Sequence, residues 1–114
     1  MYGMYRQGIA VSKCMTALLF VFRRGNRSDQ VTVSSGTGRV SHAVRIRESG
    51  IYDFVLEARL TQGSVEVFLL DQDKRPLMKL SRGIPAGRTA LDGNGRYYLR
   101  WEFQSASGEC VLRW

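Results

Sequence analysis

The sequence predicts an all-β fold, an antiparallel β-sandwich of jelly-roll type with about eight short strands in a single domain. Three observations predict it. Apolar and polar residues alternate with a period of two over several stretches, which places one face of each strand in a core and the other in water. Turn signals rich in Gly, Asn, Asp and Ser recur every eight to twelve residues. No convincing helical period, linker or long repeat interrupts this pattern, so a chain of 114 residues reads as one domain with one core.

Residues 1–12 read as a loosely ordered basic arm, or as a segment foreign to the native domain, and residues 13–114 as the sandwich. Cys14 to Phe22 is a continuous apolar run, which predicts a strand buried on both faces or an interface strand. A degraded export signal is the alternative reading. However, the run is short, Arg23-Arg24 follow it directly, and no small-residue cleavage site appears. It also falls well below the ~20 residues that span a bilayer. The polar stretch Arg23 to Gln30 predicts a turn. Val31 to Ser34 is a short strand with Val31 and Val33 inward, and Ser35 to Gly38 is a flexible turn. Arg39 to Arg47 alternates again, with Val40, His42, Val44 and Ile46 on the apolar face.

The best patterned stretch is Gly50 to Leu70. It predicts a hairpin around a tight Gln62-Gly63 turn, with Tyr52, Phe54, Leu56, Ala58 and Leu60 and then Val65, Val67 and Leu69 inward. Asp71 to Pro76 turns the chain, Leu77 to Leu80 is a strand, Ser81 to Gly87 a loop, and Arg88 to Leu91 an edge strand. Asp92 to Gly95 is a strong turn signal. Arg96 to Gln104 is the second clear strand, with Tyr97, Leu99, Trp101 and Phe103 inward. Ser105 to Gly108 turns, and Glu109 to Trp114 closes the fold with Cys110, Leu112 and Trp114 on one face.

The net charge of +7 is unevenly placed. Residues 1–47 hold eight basic groups against Asp29 alone, whereas residues 48–114 hold nine of each sign. Such asymmetry points to an acidic partner, nucleic acid or another polyanion, with Arg23, Arg24, Arg27, Arg39, Arg45 and Arg47 as the basic patch. Fourteen of the seventeen basic residues are arginine, which suits bidentate contact with carboxylate or phosphate. A plain solvated surface is the other reading of the same charges.

Two cysteines, Cys14 and Cys110, lie near the two ends of the chain. They read either as a disulfide closing nearly the whole chain, which would contribute about 4–5 kcal/mol, or as two buried free thiols. No Cys/His cluster supports zinc.

From about Val40 onward the chain carries four weak motifs in order. They are Ser49-Gly50-Ile51-Tyr52-Asp53-Phe54, then Gly63 to Asp71, then Gly95-Arg96-Tyr97-Tyr98-Leu99-Arg100, and then Ala106-Ser107-Gly108-Glu109. In this it resembles the bacterial pre-peptidase C-terminal domains and, more broadly, the jelly-roll sandwiches of secreted proteins. The resemblance implies a non-catalytic appendage of an exported bacterial protein, outside the cell or in its envelope. Its implied contacts are glycan, cell wall or a protein partner. The basic N-terminal third has no counterpart in that family.

Little in the sequence points to catalysis. The single histidine, His42, lies on the apolar phase of its strand and reads as structural, and no nucleophile-elbow or phosphate-loop motif occurs. No cofactor is expected. Asp71 and Asp73 can supply oxygens to calcium, but turn formation is the favoured reading of both. Tyr98, Arg100, Glu102 and Gln104 form an outward row on one strand and Phe68 is outward on another. Together they are the candidate ligand surface, suited to sugar stacking or peptide contact. The exposed aromatic face or the first strand can also serve self-association.

Overall fold

The computed structural model describes residues 4–5 and 11–114. Eight strands form it: β1 (Met4–Tyr5), β2 (Val11–Thr16), β3 (Leu19–Gly25), β4 (Ser28–Arg45), β5 (Gly50–Leu70), β6 (Pro76–Ser81), β7 (Ala86–Leu91) and β8 (Arg96–Arg113). The described residues contain no helix. Every pairing is antiparallel except that of β1 with β3.

The strands belong to one hydrogen-bonded sheet that is rolled into two facing layers. Three long strands, β4, β8 and β5, run through both layers. In the first layer, Ser28 to Val33 of β4 pairs with β3 on one side and with Gly108 to Arg113 of β8 on the other. Val55 to Leu60 of β5 continues that layer, and β7 closes its edge. In the second layer, β2 pairs with residues 37–42 of β4, followed by residues 96–103 of β8, the second half of β5, and β6. The result is an antiparallel β-sandwich of jelly-roll type.

Aromatic pairs show that the two layers face one another. Phe22 of the first layer meets Trp101 of the second edge-on at 6.4 Å, and Phe20 meets Phe103 at 5.7 Å. Edge-to-face geometry suits the opposite charges of ring rim and ring face. Around them Val31, Phe54, Leu56, Cys110 and Leu112 pack against Val40, Val65, Val67, Leu80 and Leu99, all buried. The alternation read from the sequence therefore sets the inward phase of every long strand correctly.

The strand ends differ from expectation in one consistent way. Gly50 to Leu70 is a single strand of 21 residues and not a hairpin. Ser35 to Gly38 and Ser105 to Gly108 likewise lie within β4 and β8. All three sites are β-bulges where the register shifts as the strand passes from one layer to the other. Each contains residues at positive φ: Ser35 (49°) and Gly38 (135°), Gly63 (77°), Ser105 (46°) and Gly108 (144°). A bulge bends the strand and adds one residue, so the inward phase switches from Leu60 to Val65 without any reversal of direction.

Two further expectations change. Arg23 to Gln30 is not a loop; only Asn26 and Arg27 form the turn, and Asp29 lies on β4, fully buried. The apolar run Cys14 to Phe22 is broken at Ala17-Leu18 and is not buried on both faces, since Leu18 is 75% exposed. This ribbon lies beside β4 alone among the long strands, so Ala17, Phe20 and Phe22 reach the core, Met15 packs against it, and the alternate side chains face outward.

Candidate functional site

Two surfaces collect the residues that the sequence singled out. The first is the outer face of the second layer. Strand alternation sends Arg100 and Glu102 outward on β8 and Phe68 and Glu66 outward on β5, and pairing brings Phe68 opposite Arg100 and Glu66 opposite Glu102. Tyr98, half-buried, and Gln104, exposed, extend the β8 row at either end. A depression of about 360 Å³ lies on this face, lined by Arg39, Ser64, Glu66, Glu102 and Gln104 among others.

Cations cover the aromatic rings on that face. The Arg100 guanidinium sits 4.9 Å from the Phe68 ring centre, with Lys79 Nζ at 5.9 Å, and Lys74 Nζ sits 4.2 Å from that of Tyr98. The carboxylates are paired as well. Lys79 donates toward Glu66 at 2.9 Å, and Arg100 Nε lies 2.9 Å from Glu102 Oε2. That second approach is not along the N–H direction, so Arg100 Nε has no hydrogen-bond partner among the described residues. Glu66 directly opposite Glu102 would repel were it not for these cations.

The second surface is a cleft of about 460 Å³ at one end of the sandwich. Arg24 enters it from the last turn of β3, on the same inward phase as Phe20 and Phe22. Arg27 enters from the β3–β4 turn at φ 62°, and Arg45 and Arg47 from the end of β4 and the residues after it. Tyr52 of β5 and Trp114 supply aromatic walls, and Glu48 is the one acid in the lining. Trp114 is fixed by stacking on Phe54 at 5.8 Å and by its backbone N–H, which donates to the Arg27 carbonyl. The Tyr52 hydroxyl donates to the Glu48 carbonyl, and the Arg27 guanidinium lies 5.3 Å from the Tyr52 ring centre.

The basic patch expected from the sequence is therefore divided. Arg24, Arg27, Arg45 and Arg47 share the cleft. Arg39 lies on the outer face of the second layer and Arg23 on that of the first.

The remaining candidates resolve as follows. Cys14 and Cys110 are not bridged: Cys14 is exposed on β2 and Cys110 is buried on β8 in the other layer. Burial pushes the Cys110 thiol up to about 11, partly opposed by Arg82. Asp71 Oδ1 accepts from the N–H groups of Asp73 and Arg75, which is turn formation. Among the described residues no group of three His, Cys, Asp or Glu could hold a metal ion. His42 is 1% exposed and forms a 2.6 Å contact between Nε2 and Asp29 Oδ2. The same carboxylate oxygen accepts from Trp101 Nε1 at 2.9 Å. Sequence reasoning missed this buried Asp29–His42–Trp101 cluster because Asp29 was placed in a turn.

The sequence matches no protein-family model and no curated protein. The family-level resemblance to pre-peptidase domains therefore finds no support. Some solved structures are similar to this chain. The enzymatically active domain of tailspike protein 4 from bacteriophage CBA120 matches at TM-score 0.50 and 12% identity, over 90% of this chain and 18% of that one. A cycloisomaltooligosaccharide glucanotransferase from Paenibacillus sp. matches at TM-score 0.46 and 14% identity, over 96% of this chain and 18% of that one. A family 29 carbohydrate-binding module matches at TM-score 0.43 and 11% identity, over 90% of this chain and 70% of that one. The chain thus spans under a fifth of the length of the first two. At such identities the tailspike likeness speaks to the β-sandwich alone.

Proposed function

We propose that this chain is a non-catalytic β-sandwich module that contacts a glycan through the outer face of its second layer. The observation that carries this reading is the convergence of Phe68, Tyr98, Arg100, Glu102 and Gln104 on two paired strands beside a shallow depression. Carboxylate, amide and guanidinium groups fixed on a sheet can meet vicinal sugar hydroxyls in pairs. The Tyr98 ring supplies an apolar face once Lys74 moves aside, and the Phe68 ring once Lys79 and the nearer Arg100 do, all three on long flexible stems. A sheet holds such groups with less ordering loss on binding than a loop would. The exported bacterial setting and self-association through the same face belong to this proposal, and the aromatic row supports the second of them.

Isothermal titration against neutral polysaccharides and peptidoglycan tests the site. Phe68→Ala and Tyr98→Ala should each weaken binding by about tenfold, or ~1.4 kcal/mol. Binding that is tight and equally strong in both variants would place the ligand elsewhere.

A further inference from the structure

The end cleft has a different chemistry from the outer face, and we propose that it is a second binding site, for a single acid group carried on a sugar ring. The acid is a uronate carboxylate or a sugar sulfate.

The first argument is the distribution of charge. Among the described residues, none of Arg24, Arg27, Arg45 and Arg47 is in an ion pair with a carboxylate; Arg23, Arg39, Arg75, Arg82 and Arg96 share that state, but only these four converge on one cleft. Glu48 is the one acidic side chain among the residues lining the cleft with these four. Arg45 also stands directly opposite Arg96 across β4 and β8, an arrangement of like charges that an anion relieves.

The second argument is an unmet donor. Arg24 Nη2 donates to the Ala43 carbonyl at 3.0 Å, which fixes the guanidinium plane. Its Nη1 is buried and has no hydrogen-bond partner among the described residues. Buried donors are almost always paired, and this one, closed to solvent as the side chain lies, gains an acceptor when the residues around it part to admit an anion from the cleft. A carboxylate or sulfate is the acceptor that a planar fork of donors fits best.

The third argument is shape. A volume near 460 Å³ lies within the range of small-ligand sites and takes one ring with its acid group. The half-buried rings of Tyr52 and Trp114 give that ring an apolar wall. A nucleic-acid strand needs a basic track that follows many phosphates. Here Arg23 and Arg39 lie on other faces and extend no such track.

The test titrates the full chain with tetragalacturonate, a heparin-derived tetrasaccharide, maltotetraose and a short single-stranded DNA, following Trp114 fluorescence in a Trp101→Phe background and heat in the wild type. At least one acidic tetrasaccharide should bind and maltotetraose should not quench Trp114. Which acidic sugar binds distinguishes carboxylate from sulfate. Arg45→Ala and Arg47→Ala, both at exposed positions, should each weaken that binding about tenfold or more. Arg24→Lys, which keeps the charge and loses the fork, should weaken it as well. Tyr98→Ala should leave it unchanged, so failure here is separable from failure of the outer-face reading. Three results overturn the proposal: neither acidic tetrasaccharide binds, the arginine variants bind as the wild type does, or the DNA binds more tightly than either sugar.

Discussion

Asp29 shows how one side chain can organise a core. It is fully buried, and its Oδ2 receives both His42 Nε2 and Trp101 Nε1. Its partners come from a different layer, so the carboxylate joins the two layers at the centre of the sandwich. A buried polar atom costs far less when hydrogen-bonded, as Oδ2 is and Oδ1 is not among the described residues, and the partner left behind when it is removed bears the desolvation penalty. Asp29→Ala should therefore destabilise by about 1–3 kcal/mol for each stranded donor. Asp29→Asn keeps an acceptor oxygen and should lose less. Urea unfolding of the two variants checks this. An Asp29→Ala midpoint equal to that of the wild type would mean that the cluster holds nothing in place. Cys110, buried nearby in the first layer, shows the same physics in its thiol, which burial keeps protonated to about 11.

At the scale of elements, the bulged strands are the main departure from what the sequence suggests. A hairpin turn and a layer-crossing bulge ask for the same residues, namely a glycine at positive φ and a one-residue switch of apolar phase. Gln62-Gly63 meets both descriptions, and only the pairing of β5 with β8 on either side of it decides. Inward phase was legible because it depends on local alternation; strand continuity was not, because it depends on a partner some fifty residues away. The glycines themselves can be tested. A Cβ at Gly63 would lie 2.2 Å from the Ser105 carbonyl oxygen, on backbone that cannot turn away, and at φ 77°. Gly63→Ala should destabilise by more than about 1 kcal/mol. Gly50, at the start of the same strand, has open space where its Cβ would be. Gly50→Ala should be neutral or slightly stabilising. Equal melting temperatures for the two variants would show that the bulge at Gly63 is not under this constraint.

At the scale of the whole molecule, the same crossings explain why the candidate sites were only half legible. The excess of arginine before residue 48 was plain in the composition. Which arginines meet depends on how far along the second-layer half of β4 each one lies: Arg39 sits beside the depression on an outer face, while Arg45, six residues on, reaches the end cleft. Sharing β4, β5 and β8 between layers also couples the layers mechanically. Neither layer can unfold without breaking backbone hydrogen bonds along strands that continue into the other. The pairings join distant parts of the chain, Ser28 with Arg113 among them, so little structure forms before long loops close. Unfolding should therefore be a single all-or-none transition and refolding comparatively slow, in the range of milliseconds to seconds typical of all-β domains. The two tryptophans make this measurable, since Trp101 lies in the second layer and Trp114 follows the first-layer half of β8. Trp114→Phe reports the second layer by fluorescence and Trp101→Phe the first. In each variant the fluorescence curve in urea should coincide with far-ultraviolet circular dichroism. A fluorescence transition in either variant that precedes the loss of strand signal would mean that one layer opens alone, and that the bulges act as hinges between two semi-independent sheets.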